Sequence, residues 1–114
     1  MRFTKEEISL CKQIAGKHKK EIEYGDWYLS NTVTLLNKFI HGTINMARQV
    51  RLCLIPLWTI EDCFEFLGEQ FNKLKRCKTI FEVELKFLGG RNWHEGKTPL
   101  EACLKAVLAV LEEK

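Results

Sequence analysis

Cysteine and histidine supply the most reactive side chains of this sequence: Cys11, Cys53, Cys63, Cys77 and Cys103, with His18, His41 and His94. A zinc site draws on close cysteine pairs and on histidines at ligand spacing. No two of these cysteines stand as Cys-x-x-Cys. A disulfide framework favours an even count and a secretory context, and the count here is odd. Cys11, Cys63 and Cys103 each fall on the apolar face of a predicted helix, where a free thiol acts as a small hydrophobe. Core packing is therefore expected of them, with no metal and no cofactor. Nucleophilic catalysis needs a Cys or Ser beside a base that a third group orients. None of the three histidines lies in a local signature with a nucleophile. No catalytic residue is assigned, and an enzyme with a cryptic Cys/His site stays open as an alternative.

Paired carboxylates and glycines each have a structural role. Glu82 and Glu84 share the expected solvated face of a strand, while Glu6-Glu7 and Glu61-Asp62 occupy helix first turns, where negative charge is favoured. Asp26 follows Gly25 in a turn signal. A phosphate loop needs glycine amides that converge at the start of a helix. The adjacent pair Gly89-Gly90 instead joins two strands and reads as a hairpin turn.

Binding chemistry is more visible. From Trp27 to Ile60 there is no Asp or Glu, while Lys38, His41, Arg48 and Arg51 are present. Trp27, Tyr28, Trp58 and Trp93 stand at element edges, with Trp58 placed to staple the chain into a helix. Tryptophan beside Arg or His is the composition of binding hot spots. Trp27, Tyr28, Arg48, Arg51, Arg91, Trp93 and His94 therefore make up the candidate partner- or ligand-binding surface.

The elements that must position these residues follow from periodicity and capping. Thr4 with Glu7 forms a capping box for a first helix that runs to about Lys20, with Ile8, Cys11, Ile14 and Ala15 facing inward. Trp27–Leu29 and Thr32–Leu36 read as a hairpin around Ser30-Asn31. Lys38 to Cys53 has no clean period and reads as a loop leading into a strand near Gln49–Leu54, which Pro56 ends. Thr59 caps a second helix whose stripe is Ile60, Cys63, Phe64, Leu67, Phe71 and Leu74, closed by Lys73, Lys75 and Arg76. Phe81, Val83, Leu85 and Phe87 alternate with Glu82, Glu84 and Lys86, the mark of a strand with one buried face. Arg91 to Glu95 returns as a short strand. Thr98-Pro99-Leu100-Glu101 then opens a third helix, with Leu100, Cys103, Leu104, Val107, Leu108 and Leu111 inward.

The resulting class is α+β: an antiparallel sheet of about four or five short strands against three helices, in the order α-β-β-(β)-α-β-β-α. With 114 residues, 46% apolar and 29% charged, the chain suits one domain spanning residues 1–114. Its net charge of +3 is compatible with a nucleic-acid partner without requiring one. No stretch approaches the roughly 18 apolar residues of a membrane span. The charged start Met1-Arg2-Phe3-Thr4-Lys5-Glu6-Glu7 is unlike a signal peptide, so a cytoplasmic location is expected.

Ile55-Pro56-Leu57-Trp58-Thr59, the following helix, the alternating strand and glycine turn, and Thr98-Pro99-Leu100-Glu101-Ala102-Cys103 give the half from Ile55 onward a recognisable arrangement. It resembles the small phage and prophage proteins with an "ABA sandwich" domain. Those chains share a proline before a first helix and a Thr-Pro-Leu-x-x-Cys opening to a last one. The resemblance implies a phage or prophage accessory protein in the host cytoplasm and carries over no catalytic residues. The order from Phe81 to Leu111 is also similar to the end of a double-stranded-RNA-binding domain. The lysines that such domains carry at the start of the last helix are replaced here by Thr98, Pro99, Leu100 and Glu101. The functional expectation is a non-enzymatic protein that docks on, and as one outcome inhibits, a host protein. An RNA- or nucleotide-binding module on the same surface is the alternative, and a homodimer is compatible with either.

Overall fold

The computed structural model describes residues 3–18, 20, 22–23, 27–30, 35–38, 43–44, 47, 49, 54–87 and 90–112. Helix α1 spans Lys5–Ala15. Its capping box forms as expected: Thr4 Oγ1 accepts from the Glu7 amide at 3.1 Å, and Glu7 Oε1 accepts from the Thr4 amide at 2.7 Å. The helix ends at Gly16, four residues short of Lys20, and the Lys17 and His18 amides donate to the Ile14 carbonyl.

Five short strands follow: β1 Ile22–Glu23, β2 Trp27–Ser30, β3 Leu35–Lys38, β4 Thr43–Ile44 and β5 Leu54–Leu57. β2 and β3 pair antiparallel as expected of a hairpin, but Ser30 is strand, paired with Leu35, and the second strand reaches Lys38, beyond the Leu36 expected as its end; residues 31–34 lie outside the described ones. Three details of the middle segment differ from expectation, the first being β4, Thr43–Ile44, which pairs with β1 inside the stretch expected as a loop. Gln49 has helical backbone, not strand. Its buried amide instead accepts from the Ile22 N–H at 2.6 Å and donates to the Lys20 carbonyl at 3.0 Å, tying down the entry to β1. The strand begins at Leu54 and runs through Pro56. Proline is compatible with β5 because, among the described residues, the strand has a neighbour on one side only, and alternate N–H positions of such a strand point away from its ladder.

Helix α2, Ile60–Leu67, starts at Thr59 with a second reciprocal box, to Asp62. It does not continue through Arg76. Gly68, at φ 52° and ψ −124°, adopts a backbone that favours glycine and turns the chain out of the helix. After one 3-10 turn, Gly68–Gln70, residues expected to close the helix become strand β6, Phe71–Cys77. β6 pairs antiparallel with β7, Ile80–Phe87, and β7 with β8, Gly90–Gly96. Gly90, expected in a Gly89-Gly90 turn, is instead the first residue of β8, paired with Phe87, while Leu88 and Gly89 lie outside the described residues. Helix α3, Pro99–Glu112, completes the chain.

The α+β class and antiparallel pairing hold. The described strands are shared among separate sheets, β1-β4, β3-β2-β5 and β6-β7-β8. α3 lies at the centre, packing on β7 and β8, on α1 and on α2, while α1 also packs on β5. Helices thus stand between the two three-stranded sheets. α3 buries Leu100 through Leu104 and Ala106 through Leu108, nearly all round, as a central helix must. Cys11, Cys63 and Cys103 are fully buried in this core with Leu57, Val83, Leu85 and Leu104. No helix among the described residues is long and apolar enough to cross a membrane.

Candidate functional site

The β6-β7-β8 sheet has two unlike faces. Val83 and Leu85 of β7 point to α3 and are fully buried, with Leu74 and Phe81 partly buried beside them. Antiparallel partners project to the same side of a sheet. The register Lys73↔Glu84↔Trp93 and Lys75↔Glu82↔Glu95 therefore assembles a polar face with one tryptophan on the side away from the helices. Trp93 is 44% exposed. Lys73 Nζ lies 5.7 Å and Lys75 Nζ 5.3 Å from its ring centroid, cation–π contacts that hold the ring in place while its surface stays accessible.

Glu84, expected in solvent with Glu82, is only 1% exposed. A β-bulge between Phe71 and Lys73 sets both Asn72 and Lys73 against it, and the Asn72 amide donates to its carboxylate. Burying a carboxylate is costly unless it is hydrogen-bonded. This one is a support beneath the face and not a free acid. Positive charge runs along β6 and just past it: Lys73 and Lys75 on this face, Arg76 on the other side over the Phe81 ring, and Lys78 after the strand, all exposed. Phe64 of α2 is 36% exposed and lies 4.6 Å, ring to ring, from Phe71 at the start of the same strand.

The sequence-derived surface does not stay together. Trp27 and Tyr28 lie in β2, in the other three-stranded sheet. Trp27 is half-buried against the core and meets Phe3 edge-on at 6.3 Å. Arg91, Trp93 and His94 are all in β8, but alternation turns His94, opposite Val83, to the helix side. His94 Nε2 is buried with no hydrogen-bond partner among the described residues. That burial, and then the charge of Lys105, hold its pKa below 6.5. Arg48, Arg51 and His41 lie outside the described residues. Trp58 is not an edge residue: it is 2% exposed, and His18 and Phe66 meet its ring edge-on at 5.8 and 5.6 Å.

Lys73 and Lys75 were missed because Phe71 and Leu74 continue the spacing of a helical stripe. Gly68, followed by polar residues on both sides of Leu74, was the signal that could have found them.

The other chemical candidates are quiet. Burial pushes the Cys11 and Cys103 thiols up to about 11 and Cys63 higher still, the reverse of an activated nucleophile. Cys11 Sγ accepts from the Trp58 amide at 3.4 Å. No group of three or more His, Cys, Asp or Glu among the described residues is arranged to hold a metal ion. An open groove of about 430 Å³ runs between α1 and α3, lined by Lys5, Ser9, Gln13, Glu101 and Lys105 among others. Of its two acids, Glu6 and Glu101, the second is already engaged. Glu101 accepts from the Lys97 amide at 3.1 Å and pairs with Lys105 at 3.5 Å. Beside it, Thr98 Oγ1 accepts from the Glu101 amide at 3.0 Å and donates to Glu7 at 2.6 Å, so the caps of α1 and α3 share one network.

Comparison with protein-family models, with curated proteins and with solved structures gives no match to this chain.

Proposed function

We propose that this chain is a non-enzymatic binding protein that docks on a protein partner through the open face of the β6-β7-β8 sheet, centred on Trp93. The carrying observation is Trp93 itself, exposed at 44% and held in place by two lysines on a sheet whose other face is packed. A rigid aromatic ringed by charge is the anchor type that dominates protein interfaces. Glu82 and Glu95 beside the ring repel phosphate, which favours protein over nucleic acid at this face. Docking on a host protein as a phage or prophage accessory factor belongs to this reading through the resemblance of residues 55–114.

The test is affinity capture from bacterial lysate with the wild type and with Trp93→Ala, each with and without nuclease. A protein retained by the wild type after nuclease and lost with Trp93→Ala is the expected result. Equal retention by both proteins sinks the assignment of the face. The run Lys73, Lys75, Arg76 and Lys78 keeps the nucleic-acid reading as the second one. It takes first place if all capture vanishes with nuclease and falls steeply with salt.

A further inference from the structure

The docking reading leaves the partner's chemistry unstated, and β6 supplies it. β6 stands at one end of the β6-β7-β8 order, with β7 as its strand neighbour. In an antiparallel ladder, alternate residues of an end strand turn N–H and C=O groups outward. Such an edge accepts another strand of suitable chemistry.

Its two sides differ in character. Lys73 and Lys75 project to the open face, Arg76 turns to the helix side at the far end with its guanidinium over the Phe81 ring, and Lys78 is exposed just past the strand. On the helix side stand Leu74, half-buried, and Phe71 with Phe64 against it. A complementary strand alternates acidic residues toward the lysines with apolar residues toward Leu74 and the phenylalanine pair.

β6 already binds such a strand on its inner edge. β7 reads Phe81-Glu82-Val83-Glu84-Leu85, and its register sets Glu82 opposite Lys75, Val83 opposite Leu74 and Glu84 opposite Lys73. The same lysines disfavour edge-to-edge addition of two copies of β6, because like charges would then face each other. Charge therefore closes this edge to itself and leaves it open to acid.

We propose, resting on the docking reading above, that the edge of β6 opposite β7, which has no strand on it among the described residues, is a strand-addition site for an extended protein segment alternating acidic and apolar residues. The segment's carboxylates draw the ammoniums of Lys73 and Lys75 from the Trp93 ring toward this edge, and an apolar side chain reaches Phe64 and Phe71.

The probe is a capped synthetic peptide alternating glutamate and valine with one terminal phenylalanine, titrated into the ¹⁵N-labelled protein. Controls are a scrambled peptide of the same composition, a lysine–valine counterpart and a single-stranded oligothymidylate. The expected result is movement of the Phe71–Cys77 amide resonances with slowed hydrogen exchange of the outward amides. The scrambled and lysine peptides should have little effect, and Lys73→Glu/Lys75→Glu should weaken binding at least about tenfold. Charge reversal sets glutamates opposite Glu84 and Glu82, so a thermal melt checks the fold, and the neutral Lys73→Gln/Lys75→Gln variant, which should also weaken binding, is measured beside it.

Equal binding by the charge-reversed variant or by the lysine peptide overturns the proposal. So do resonance shifts confined to other elements. An oligothymidylate that moves Phe71–Cys77 when the acidic peptide does not overturns it in favour of nucleic acid. A partner captured through Trp93 while the peptide leaves β6 unmoved removes strand addition and leaves the docking reading standing.

Discussion

Trp27 opens β2 in one three-stranded sheet and Trp93 sits within β8 of the other. The first packs half-buried on the core, edge-on to Phe3, while the second stands 44% exposed beside two lysines. Both look alike as isolated edge aromatics. The residue two positions on separates them. Trp27 shares its side of the strand with Leu29, which is buried, and Trp93 shares its side with Glu95, which is exposed. A strand's period of two makes that neighbour a reporter of the face. Position at an element's edge says only that a side chain can be reached, and parity says which side it is on.

The largest effect that would break this contrast lies at those neighbours. Leu29→Ala removes a buried side chain from the core and is expected to cost about 2–5 kcal/mol, while Glu95→Ala should stay within about 0.5 kcal/mol. Trp27→Ala should cost roughly 2 kcal/mol, about half that of a fully buried tryptophan, and Trp93→Ala far less. Urea denaturation of the four variants measures all of these. A Trp93 variant as damaged as the Trp27 one would mean that the open face is part of the core.

Next in size is the joint between β8 and α3. A Cβ at Gly96 would lie 2.5 Å from the Ala102 amide nitrogen and 2.9 Å from Glu101 atoms. Those contacts are backbone and helix start, which cannot swing aside. Gly96→Ala should therefore destabilise by about 1–3 kcal/mol, as overpacking does. Gly16, with 3.5 Å of room, is the control and should accept alanine with little change. Equal melts for the two variants would show that β8 is free to move relative to the helix, and the rigid base under Trp93 would be lost with it.

Much of this packing was legible beforehand. The three caps at Thr4, Thr59 and Thr98, the alternation of β7 and the burial of Cys11, Cys63 and Cys103 are local patterns with local causes. The site was less so. β6 was hidden because Phe71 and Leu74 fit a helix as well as a strand, and only Gly68 in its unusual backbone decides between them. Alternation marks the side of a sheet on which Glu84 lies but cannot show that a bulge on the neighbouring strand brings Asn72 over the carboxylate. The assembled lysines depend on cross-strand register, which is a long-range property.

The two faces of β8 differ also in their response to acid. His94, on the helix side, has its pKa lowered by burial and by the Lys105 charge. In the unfolded chain the imidazole titrates near 6.5. Between that value and the lower folded pKa the native state binds fewer protons. Stability is therefore complete above about pH 6.5 and is lost as the pH falls from there through the folded pKa. His94→Gln should flatten this acid slope of the urea midpoint, and Lys105→Gln should narrow the window by letting the folded pKa rise. A slope unchanged by His94→Gln would assign the acid response to other groups.

The smallest effect is the most informative about the open face. Lys75 Nζ over Trp93 is an exposed cation–π contact, worth about 0.5–1 kcal/mol at such sites. A double-mutant cycle of Lys75→Gln and Trp93→Ala isolates that coupling from whatever else each residue does. In folding, the coupling should be at most about 1 kcal/mol, since solvent competes for both groups. In partner binding, truncating the pair should exceed that figure several-fold if the ring and the ammonium are desolvated together under a partner. A binding coupling no larger than the folding one would mean that the contact only steadies the sheet. The inequality between the two cycles is thus what distinguishes a surface kept for recognition from one that is merely solvated, and it can be read without knowing the partner's structure.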